Sequence, residues 1–441
     1  MGVTLNTGLP RAPEFDSTLA LRREGYAFGI HRFERLGCDA FETRIGLGRV
    51  VFARGAEAAA MFYHPGRFTR RGAVPPTTLV LLQDFGSMQQ LDDEDHRHRK
   101  ALFLRLLDVQ ATTRLALLFR EEWDRQAADW ERRDAIVLQA EVELILCRAV
   151  CRWAGVPLDD AEAAQRAGEF GAMLDGAGAT GARLVHGMRA RARVERWIRD
   201  HVRALRAGDP CVDSPAAAIA RHRDRHGALL DELTAAVELI NLLRPTVAVA
   251  RWVTFAALAL HDHRHLLPRL RAREPRLLQN MAQEVRRFYP LFPAIGGRVR
   301  VPFEWRGRRF RRGDRVMLDL HGTDHDPRLW AHPERFDPDR FRDWRGGLFD
   351  LIPQGAGDVA RGHRCPGENP AIALLMIAID GLATRLRYEV PPQDLRYRVD
   401  RVPSRPASGF VMRDVRRVGA AVHELAARRE PAHAARERHG S

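Results

Sequence analysis

A long apolar segment near the middle of the chain, ELINLLRPTVAVARWVTFAALAL (residues 238–260), constrains the fold more than any other feature. From Leu239 to Leu260 it has the pattern of one long helix that runs through the middle of a domain. Arg244 and Pro245 interrupt that pattern. Proline inside a helix removes a backbone hydrogen bond at a cost of about 3 kcal/mol, and a buried guanidinium is costly unless it meets an anion. Two costly residues side by side indicate a function.

The composition favours a soluble protein with a substantial core and no membrane anchor. Hydrophobic residues make up 45% of the 441 positions, which is ample for a core. The longest apolar run, Thr246 to Leu260, contains Arg251 and is too short to span a bilayer. The opening residues, MGVTLNTGLPRAPEF, lack the apolar region of a signal peptide. We therefore expect a cytoplasmic protein.

The formal net charge of +14 raises the question of nucleic-acid binding. The 57 acidic residues are interleaved with the 71 basic ones, and no basic stripe with spaced aromatic residues is present. The pattern therefore argues against a nucleic-acid partner. All the basic residues except Lys100 are arginines. Five scattered cysteines without a CxxC pair exclude a disulfide framework and a zinc ribbon.

The order of the predicted elements indicates a single large domain. A hairpin that turns at residues 46–48 comes first, and helical periodicity dominates from about Asp92 to His263. After a further helix that ends at Pro290 come strand–turn–strand, an irregular Pro/Asp-rich meander and a last helix. We predict a mainly helical domain with small β-sheets over residues 15–425, a loose lead-in at 1–14 and a disordered tail at 426–441.

Cys365, in GAGDVARGHRCPGENP, precedes the last apolar helix. At a helix N-terminus the backbone N–H groups and the macrodipole lower the pKa of a thiol. The residue is then a nucleophile or a metal ligand, unless it is only a structural loop cysteine. Gly367 permits the close approach of a large flat group, and His363 lies two residues away on the same loop.

Glu284 and Arg287, in EVRR, share one face of the helix that ends at Pro290, and Arg335 follows in the meander as part of PERF. ExxR on one helix, an arginine in a Pro-rich meander and a cysteine loop ahead of a last helix together resemble the cytochrome P450 superfamily. The resemblance implies the single-domain P450 fold, with haem b between the long distal helix and the cysteine loop. It also implies that Glu284, Arg287 and Arg335 form a structural cluster.

In this resemblance Cys365 is the proximal thiolate ligand of the haem iron, which favours O–O cleavage. The family's usual loop has phenylalanine and glycine seven and four residues before the cysteine, where this chain has Asp358 and Arg361. The glycines come earlier, as if about two residues were inserted. That longer loop resembles the bacterial fatty-acid peroxygenase branch, as do FYPLFPAIGGRV and LCRAVCRWAGVPL.

The haem propionates of such a protein need cationic partners. His96 and Lys100, in DHRHRK, lie four residues apart on one helical face, where the family has a pair directed at a propionate. A solvated basic face is the alternative. The retention of one lysine in an arginine-rich chain favours the specific role, and Arg70 and His363 are further candidates.

The distal helix explains Arg244 and Pro245. Oxygen-activating members of the family have a carboxylate followed by threonine there, whereas this chain has LLRPTVA. Hydrogen peroxide needs no redox partner, and a fatty acid whose carboxylate pairs with Arg244 would supply the missing acid/base group. Pro245 would open the helix locally to make room. We therefore predict a fatty-acid peroxygenase.

A carboxylate held at Arg244 directs oxidation to Cα or Cβ. Gln89 matches the position where alkene-forming members of the branch tend to have histidine, which favours 2- or 3-hydroxy acids over decarboxylation to a terminal alkene. Gln83 and Leu291 stand where several members have aromatic residues that line the substrate pocket.

Two alternatives remain open at the level of sequence. One is a monooxygenase that uses a ferredoxin or flavodoxin and an unusual proton relay. The other is a haem protein that binds an acyl ligand without oxidising it. Turnover without a reductase would separate the first from a peroxygenase, and peroxide-dependent product would separate the second.

Overall fold

The structure is a computed structural model in which residues 8–209, 211 and 213–418 are described. The predicted tail at 426–441 and the first seven residues of the lead-in lie outside the described residues. Helices make up most of the described chain, as predicted. Their bounds are α1 Thr18–Glu24, α2 Ala27–Leu36, α3 Ala56–Phe62, α4 Pro76–Leu82, α5 Asp93–Leu106, α6 Val109–Trp130, α7 Leu138–Ala154, α8 Asp160–Gly176, α9 Ala182–Ala207, α10 Pro215–Ala220, α11 Glu232–Ala248, α12 Ala250–Asp262, α13 Leu266–Arg271, α14 Leu277–Phe288, α15 Leu320–Asp324 and α16 Glu368–Asp380.

The strands of the described residues form three small sheets. Their bounds are β1 Ala40–Ile45, β2 Gly48–Ala53, β3 Phe68–Thr69, β4 Ala135–Val137, β5 Ala294–Val299, β6 Phe303–Trp305, β7 Arg308–Phe310, β8 Arg315–Asp319, β9 Leu386–Glu389 and β10 Val411–Arg417. A five-stranded sheet has the order β1-β2-β8-β5-β3, a three-stranded sheet the order β4-β10-β9, and β6 pairs with β7. The predicted hairpin is β1–β2, in which Ile45 faces Gly48 across the turn.

The segment that contains Arg244 and Pro245 is the central helix of the molecule. It packs against α7, α8 and α9, and nearly all its side chains are buried. Residues 232–262 are together long and apolar enough to cross a membrane, but 78% of the most apolar window is buried inside the protein. A segment so buried is a core helix of the protein. The longest apolar run predicted from the sequence, Thr246 to Leu260, is corrected, because the apolar helical segment extends over residues 232–262.

Pro245 lies inside α11 and does not end it. The helix is interrupted one turn later at Val249, whose N–H donates to the carbonyl of Thr246. The hydroxyl of Thr246 donates to the carbonyl of Leu242 at 3.0 Å. Because Pro245 has no N–H, the carbonyl of Asn241 loses its helical partner. The helix therefore lacks one backbone hydrogen bond at Pro245 and has a turn at Val249, while the prediction that Pro245 makes room for a ligand stays a prediction.

Candidate active site

Arg244 is buried in the core and directed at neutral groups. Only 4% of its surface is exposed. Its Nη2 donates to the carbonyl of Leu82 and to the side-chain oxygen of Asn241, while Nε has no partner among the described residues. Burial, together with the charge of Arg191, lowers the pKa of Arg244 to about 9. A guanidinium in such a place is stabilised by an anion, and neutral oxygens do not replace one.

Asn241 positions Arg244 and was not singled out from the sequence. It lies three residues earlier on the same face of α11. Its Nδ2 donates to the carbonyl of Gln83 at 2.8 Å, while its Oδ1 accepts from Arg244 at 3.2 Å. The stretch NLLR carries this signal, because polar residues three apart share a helix face.

Glu238, on the preceding turns of α11, is fully buried and bound to other groups. Its Oε1 accepts from Arg99 Nη1 and from the backbone N–H of Met88, both at 2.7 Å. Burial raises the pKa of Glu238, opposed by the attraction of Arg99. Oε1 of this carboxylate is therefore engaged by its own ion pair, while Oε2 has no hydrogen-bond partner among the described residues.

Gln83 follows Leu82, whose carbonyl accepts from Arg244, and Gln89 lies six residues further along the chain. The side chain of Gln83 accepts from Gln90 at 2.9 Å, and its carbonyl holds Asn241. The backbone carbonyl of Gln83 is thus linked to Arg244 through the side chain of Asn241. Gln89 Oε1 is buried without a partner in the described part of the chain.

Leu291 is buried beyond α14, and its carbonyl accepts from the hydroxyl of Tyr26 at 2.6 Å.

Cys365 lies on the loop before α16, as predicted. Its N–H donates to the carbonyl of Gln354 at 3.0 Å, and Gln354 Nε2 lies 3.7 Å from Sγ. Arg286 of α14 is fully buried and binds both Gln354 and Glu368, the first residue of α16. These three residues, which the sequence reading did not assign, fix the loop against the core. Arg286 is part of the EVRR motif, but the sequence does not indicate that its side chain binds Gln354 and Glu368.

The predicted lowering of the Cys365 pKa is wrong for the chain alone. Burial raises the pKa of the thiol, and this outweighs the stabilisation of the thiolate by the N–H of Gly367. The helix N-terminus is present, but desolvation is the larger effect. Metal binding must therefore displace the thiol proton.

Lys100 holds the cysteine loop. Its Nζ donates to the carbonyls of Gly362 and Arg364, and its side chain is fully buried. Burial lowers the pKa of Lys100 to about 8. The flexible stem of Lys100 reaches from α5 to the loop, and these contacts use two of its three protons. Its role as a propionate partner stays a prediction.

Arg70, His96 and His363 form a buried basic cluster beside Lys100. The rings of His96 and His363 lie 3.9 Å apart, and His96 Nε2 has no partner among the residues described. Burial, Lys100 and Arg70 lower the pKa of His96 to about 4. Arg70 donates to the carbonyl of Gly296 at 3.0 Å. Burial also lowers the pKa of His363, so both imidazoles are neutral hydrogen-bonding groups at neutral pH, and Arg70 and Lys100 carry the positive charge. Within the described residues no ion pair neutralises these two cations, so the cluster is suited to an anion with several carboxylates.

Glu284 and Arg287 form a buried bidentate pair with two contacts of 2.7 Å. The arginine of the meander that joins them is Arg340, whose Nε lies 3.2 Å from Glu284. Arg335 has a largely exposed side chain and contributes only its carbonyl, which accepts from Arg287 and Arg340. The predicted membership of the Arg335 side chain is wrong, because the backbone turns it outward.

Comparisons with known proteins place this site in a family. A family model described as Cytochrome P450 matches residues 269–413. Tabersonine 6,7-epoxidase isoform 1 of Catharanthus roseus is 31% identical over 122 residues, or 27% of this chain and 23% of the epoxidase. The chain thus aligns with about a quarter of the length of the curated relatives it matches.

A solved structure of cytochrome P450SP alpha (CYP152B1), in complex with (R)-ibuprophen, is 45% identical, with a TM-score of 0.88, over 91% of this chain and 99% of that chain. This chain belongs to the cytochrome P450 family. Cytochrome P450EX alpha (CYP152N1) with myristic acid is 38% identical with a TM-score of 0.89, over 93% of this chain and 99% of that one. These matches confirm the predicted P450 fold and the CYP152 branch of fatty-acid peroxygenases.

The cofactor of this P450 is haem b with a cysteine thiolate as the axial iron ligand. The residues present fit such a group. Cys365 would supply the thiolate, on a loop that Lys100 and Gln354 hold. The unneutralised basic cluster with the orphaned His96 Nε2 suits the propionates.

Proposed function

We propose that this cytochrome P450 is a peroxygenase that uses hydrogen peroxide to oxidise a long-chain fatty acid beside its carboxylate. The observation that carries the proposal is Arg244, a buried cation on the central helix that meets only neutral oxygens in the described structure. A carboxylate would bind its planar fork in two places and offset the desolvation of the charge. A substrate that carries a carboxylate meets this need of Arg244 for an anionic partner.

The bound carboxylate also supplies the acid/base group that the chain lacks at this point. Glu238 is committed to Arg99 and to the N–H of Met88. Pro245 and Thr246 follow Arg244, and the hydroxyl of Thr246 is bound to its own helix. A general acid/base must lie within hydrogen-bond reach of the proton that it moves. We assign that role to the substrate carboxylate, held by Arg244 and steadied by Asn241.

The haem supplies the oxygen-activating iron, and the chain's residues hold it in place. We assign axial ligation to Cys365, and propionate binding to His96, Arg70 and His363. The remaining proton of Lys100 is available to a propionate as well. Glu284, Arg287 and Arg340 keep the meander against the core. Because peroxide brings both oxygen atoms and both electrons, no redox partner is required.

The structures of similar proteins support an acyl substrate. Cytochrome P450EX alpha was solved with myristic acid, and a variant of cytochrome P450 OleT, 31% identical with a TM-score of 0.89 over 93% of this chain and 99% of that chain, with arachidonic acid. With the carboxylate at Arg244, oxidation falls at Cα or Cβ. Gln89 in place of a histidine favours hydroxylation over decarboxylation. The protein so proposed is cytoplasmic, with its catalytic domain at residues 15–425.

An incubation with hydrogen peroxide and no reductase tests the proposal. The substrates are palmitic acid and its methyl ester, and products are identified by mass spectrometry. We expect 2- or 3-hydroxy acid from the free acid and none from the ester. Product from both would remove the carboxylate from the mechanism, and product from neither would refute the peroxygenase.

A further inference from the structure

A second cluster of guanidinium groups surrounds Asp175, away from Arg244, at a cleft of about 400 Å³ between α8, α9, α12 and the loop before β10. Arg251, Arg405 and Asp175 line this cleft, and Arg401 reaches Asp175 from beside it. Asp175, at the end of α8, accepts hydrogen bonds from two of these arginines and forms an ion pair with the third. Arg251 Nη2 lies 2.5 Å from its Oδ1, Arg401 Nη2 lies 3.0 Å from Oδ2, and Arg405 Nη2 lies 3.6 Å from Oδ2. One carboxylate therefore faces three cations.

Arg251 is the least satisfied member of this cluster. Its surface is 1% exposed, and Nε and Nη1 have no hydrogen-bond partner in the part of the chain that the structure describes. The Nε atoms of Arg401 and Arg405 are likewise buried without a partner there. Burial lowers the pKa of both of these arginines. Buried donors on charged groups that lack acceptors are rare and call for a ligand.

The other charged groups that line the cleft do not balance it. Glu143 is buried, and its side chain accepts from Gln139 at 2.7 Å. Burial raises the pKa of Glu143, which favours its neutral form. Arg183 adds a further cation and donates to the backbone carbonyl of Asp175. The cleft therefore keeps a net positive charge even with both carboxylates ionised.

Small residues of α8, Gly168 and Gly171, also line the cleft. A Cβ at Gly168 would meet nothing within 4 Å, so the cleft is open at this residue. A Cβ at Gly171 would lie 2.9 Å from a carboxylate oxygen of Glu143. The cleft is therefore closed by Glu143 at Gly171 and opens to solvent at the exposed Gly168, so a small ligand can enter from that side.

We infer that this cleft is a second anion site, which binds a phosphate or carboxylate group through Arg251, Arg401 and Arg405. Guanidinium groups match both anions because they donate paired, charge-assisted hydrogen bonds. Asp175 holds the arginines in place when the ligand is absent and competes with it. The site is independent of the proposed peroxygenase function, although Arg251 lies seven residues after Arg244 on the same central helix segment.

The test measures the melting temperature of the holoprotein with inorganic phosphate or sodium butyrate, against sodium chloride at equal ionic strength. The variants are R401Q/R405Q, Asp175→Asn, Arg244→Ala and, as a matched control, Arg398→Gln, which removes an exposed pair with Asp400. Affinity is taken from the dependence of the melting temperature on anion concentration. The phosphate and butyrate arms distinguish free phosphate from a carboxylate as the source of the anion.

We expect at least one of the two anions to stabilise the wild type, Arg244→Ala and Arg398→Gln equally. R401Q/R405Q should lose about tenfold or more in affinity, since each charge-assisted hydrogen bond contributes substantially. Asp175→Asn should bind more tightly, because a competing carboxylate is gone. No stabilisation beyond that of chloride would overturn the inference. Stabilisation that survives in R401Q/R405Q would overturn it too, as would stabilisation lost only in Arg244→Ala.

Discussion

At this site, the role of a buried charged side chain depends on whether it has a partner of opposite charge. Arg244 binds only neutral oxygens, whereas Arg99 and Arg287 meet carboxylates at 2.7 Å. The sequence could predict Arg244 as a functional residue because arginine beside proline is costly in an apolar helix. It places Asn241 on the same helix face as Arg244, but it could not predict that the carbonyl of Gln83 holds Asn241, since that contact depends on where α4 ends relative to α11.

Lys100 gives a prediction at this scale. Lys100→Met would leave the carbonyls of Gly362 and Arg364 without their charged donor. We expect the free energy of unfolding to fall by about 3 kcal/mol, and haem to dissociate faster from the loosened loop. Urea denaturation and haem transfer to apomyoglobin measure these effects. Arg97→Met is the matched control on α5, where Arg97 is half-exposed, and should behave as the wild type. Equal stability of both variants would refute this role of Lys100.

Cys365 gives a second prediction. Cys365→Ala removes the thiolate but leaves Gln354, Glu368 and Arg286 in contact. We expect a folded protein whose reduced carbon-monoxide complex lacks the Soret band of a thiolate-ligated haem. A wild-type band position in this variant would show that another residue ligates the iron.

At the scale of elements, the periodic parts of the chain were predictable, whereas the directions of the side chains in the meander were not. The helices, the hairpin and the cysteine loop have strong local patterns. Arg335 and Arg340 lie five residues apart in an irregular segment, where no periodicity shows which side chain points inward. The structure selects Arg340, because the chain between them turns Arg335 toward solvent.

The choice between these two arginines is testable. Arg340→Ala leaves Glu284 short of a buried partner and removes the donor to the carbonyl of Ala331. The carbonyls of His332 and Arg335 each lose one of their two donors. We expect a loss of about 3 kcal/mol in the free energy of unfolding. Arg335→Ala, the matched control, should change it by less than about 0.5 kcal/mol. Denaturation with urea compares them, and the reverse order would restore the assignment made from the sequence.

At the scale of the whole molecule, buried acids make stability depend on pH. Asp319 ends β8, and its carboxylate accepts from the N–H of Gly322 at 2.6 Å. Burial raises the pKa of Asp319 from 3.8 to about 7. Between these values the folded state holds a proton that the unfolded state has lost. This group's contribution to stability therefore falls by about 1.4 kcal/mol per unit as the pH rises from 4 to 7.

Asp319→Asn removes this titration but keeps an oxygen that can accept from Gly322. We expect the variant to be more stable than the wild type above pH 7, and the difference to disappear toward pH 4. Thermal unfolding of both proteins across this range measures the difference directly, because other titrating groups cancel. A difference that is constant with pH would refute the raised pKa.

The central claim is that Arg244 holds the carboxylate that serves the reaction, and its most direct test is the kcat/KM of peroxide-driven palmitate oxidation in Arg244→Ala. Arg199→Ala, which removes a half-exposed arginine of α9, is the matched control. Both variants should fold and hold haem with a thiolate spectrum. We predict a loss of about 100-fold or more in Arg244→Ala and near-wild-type activity in the control. Near-wild-type activity in Arg244→Ala, with the haem spectrum intact, would contradict the account.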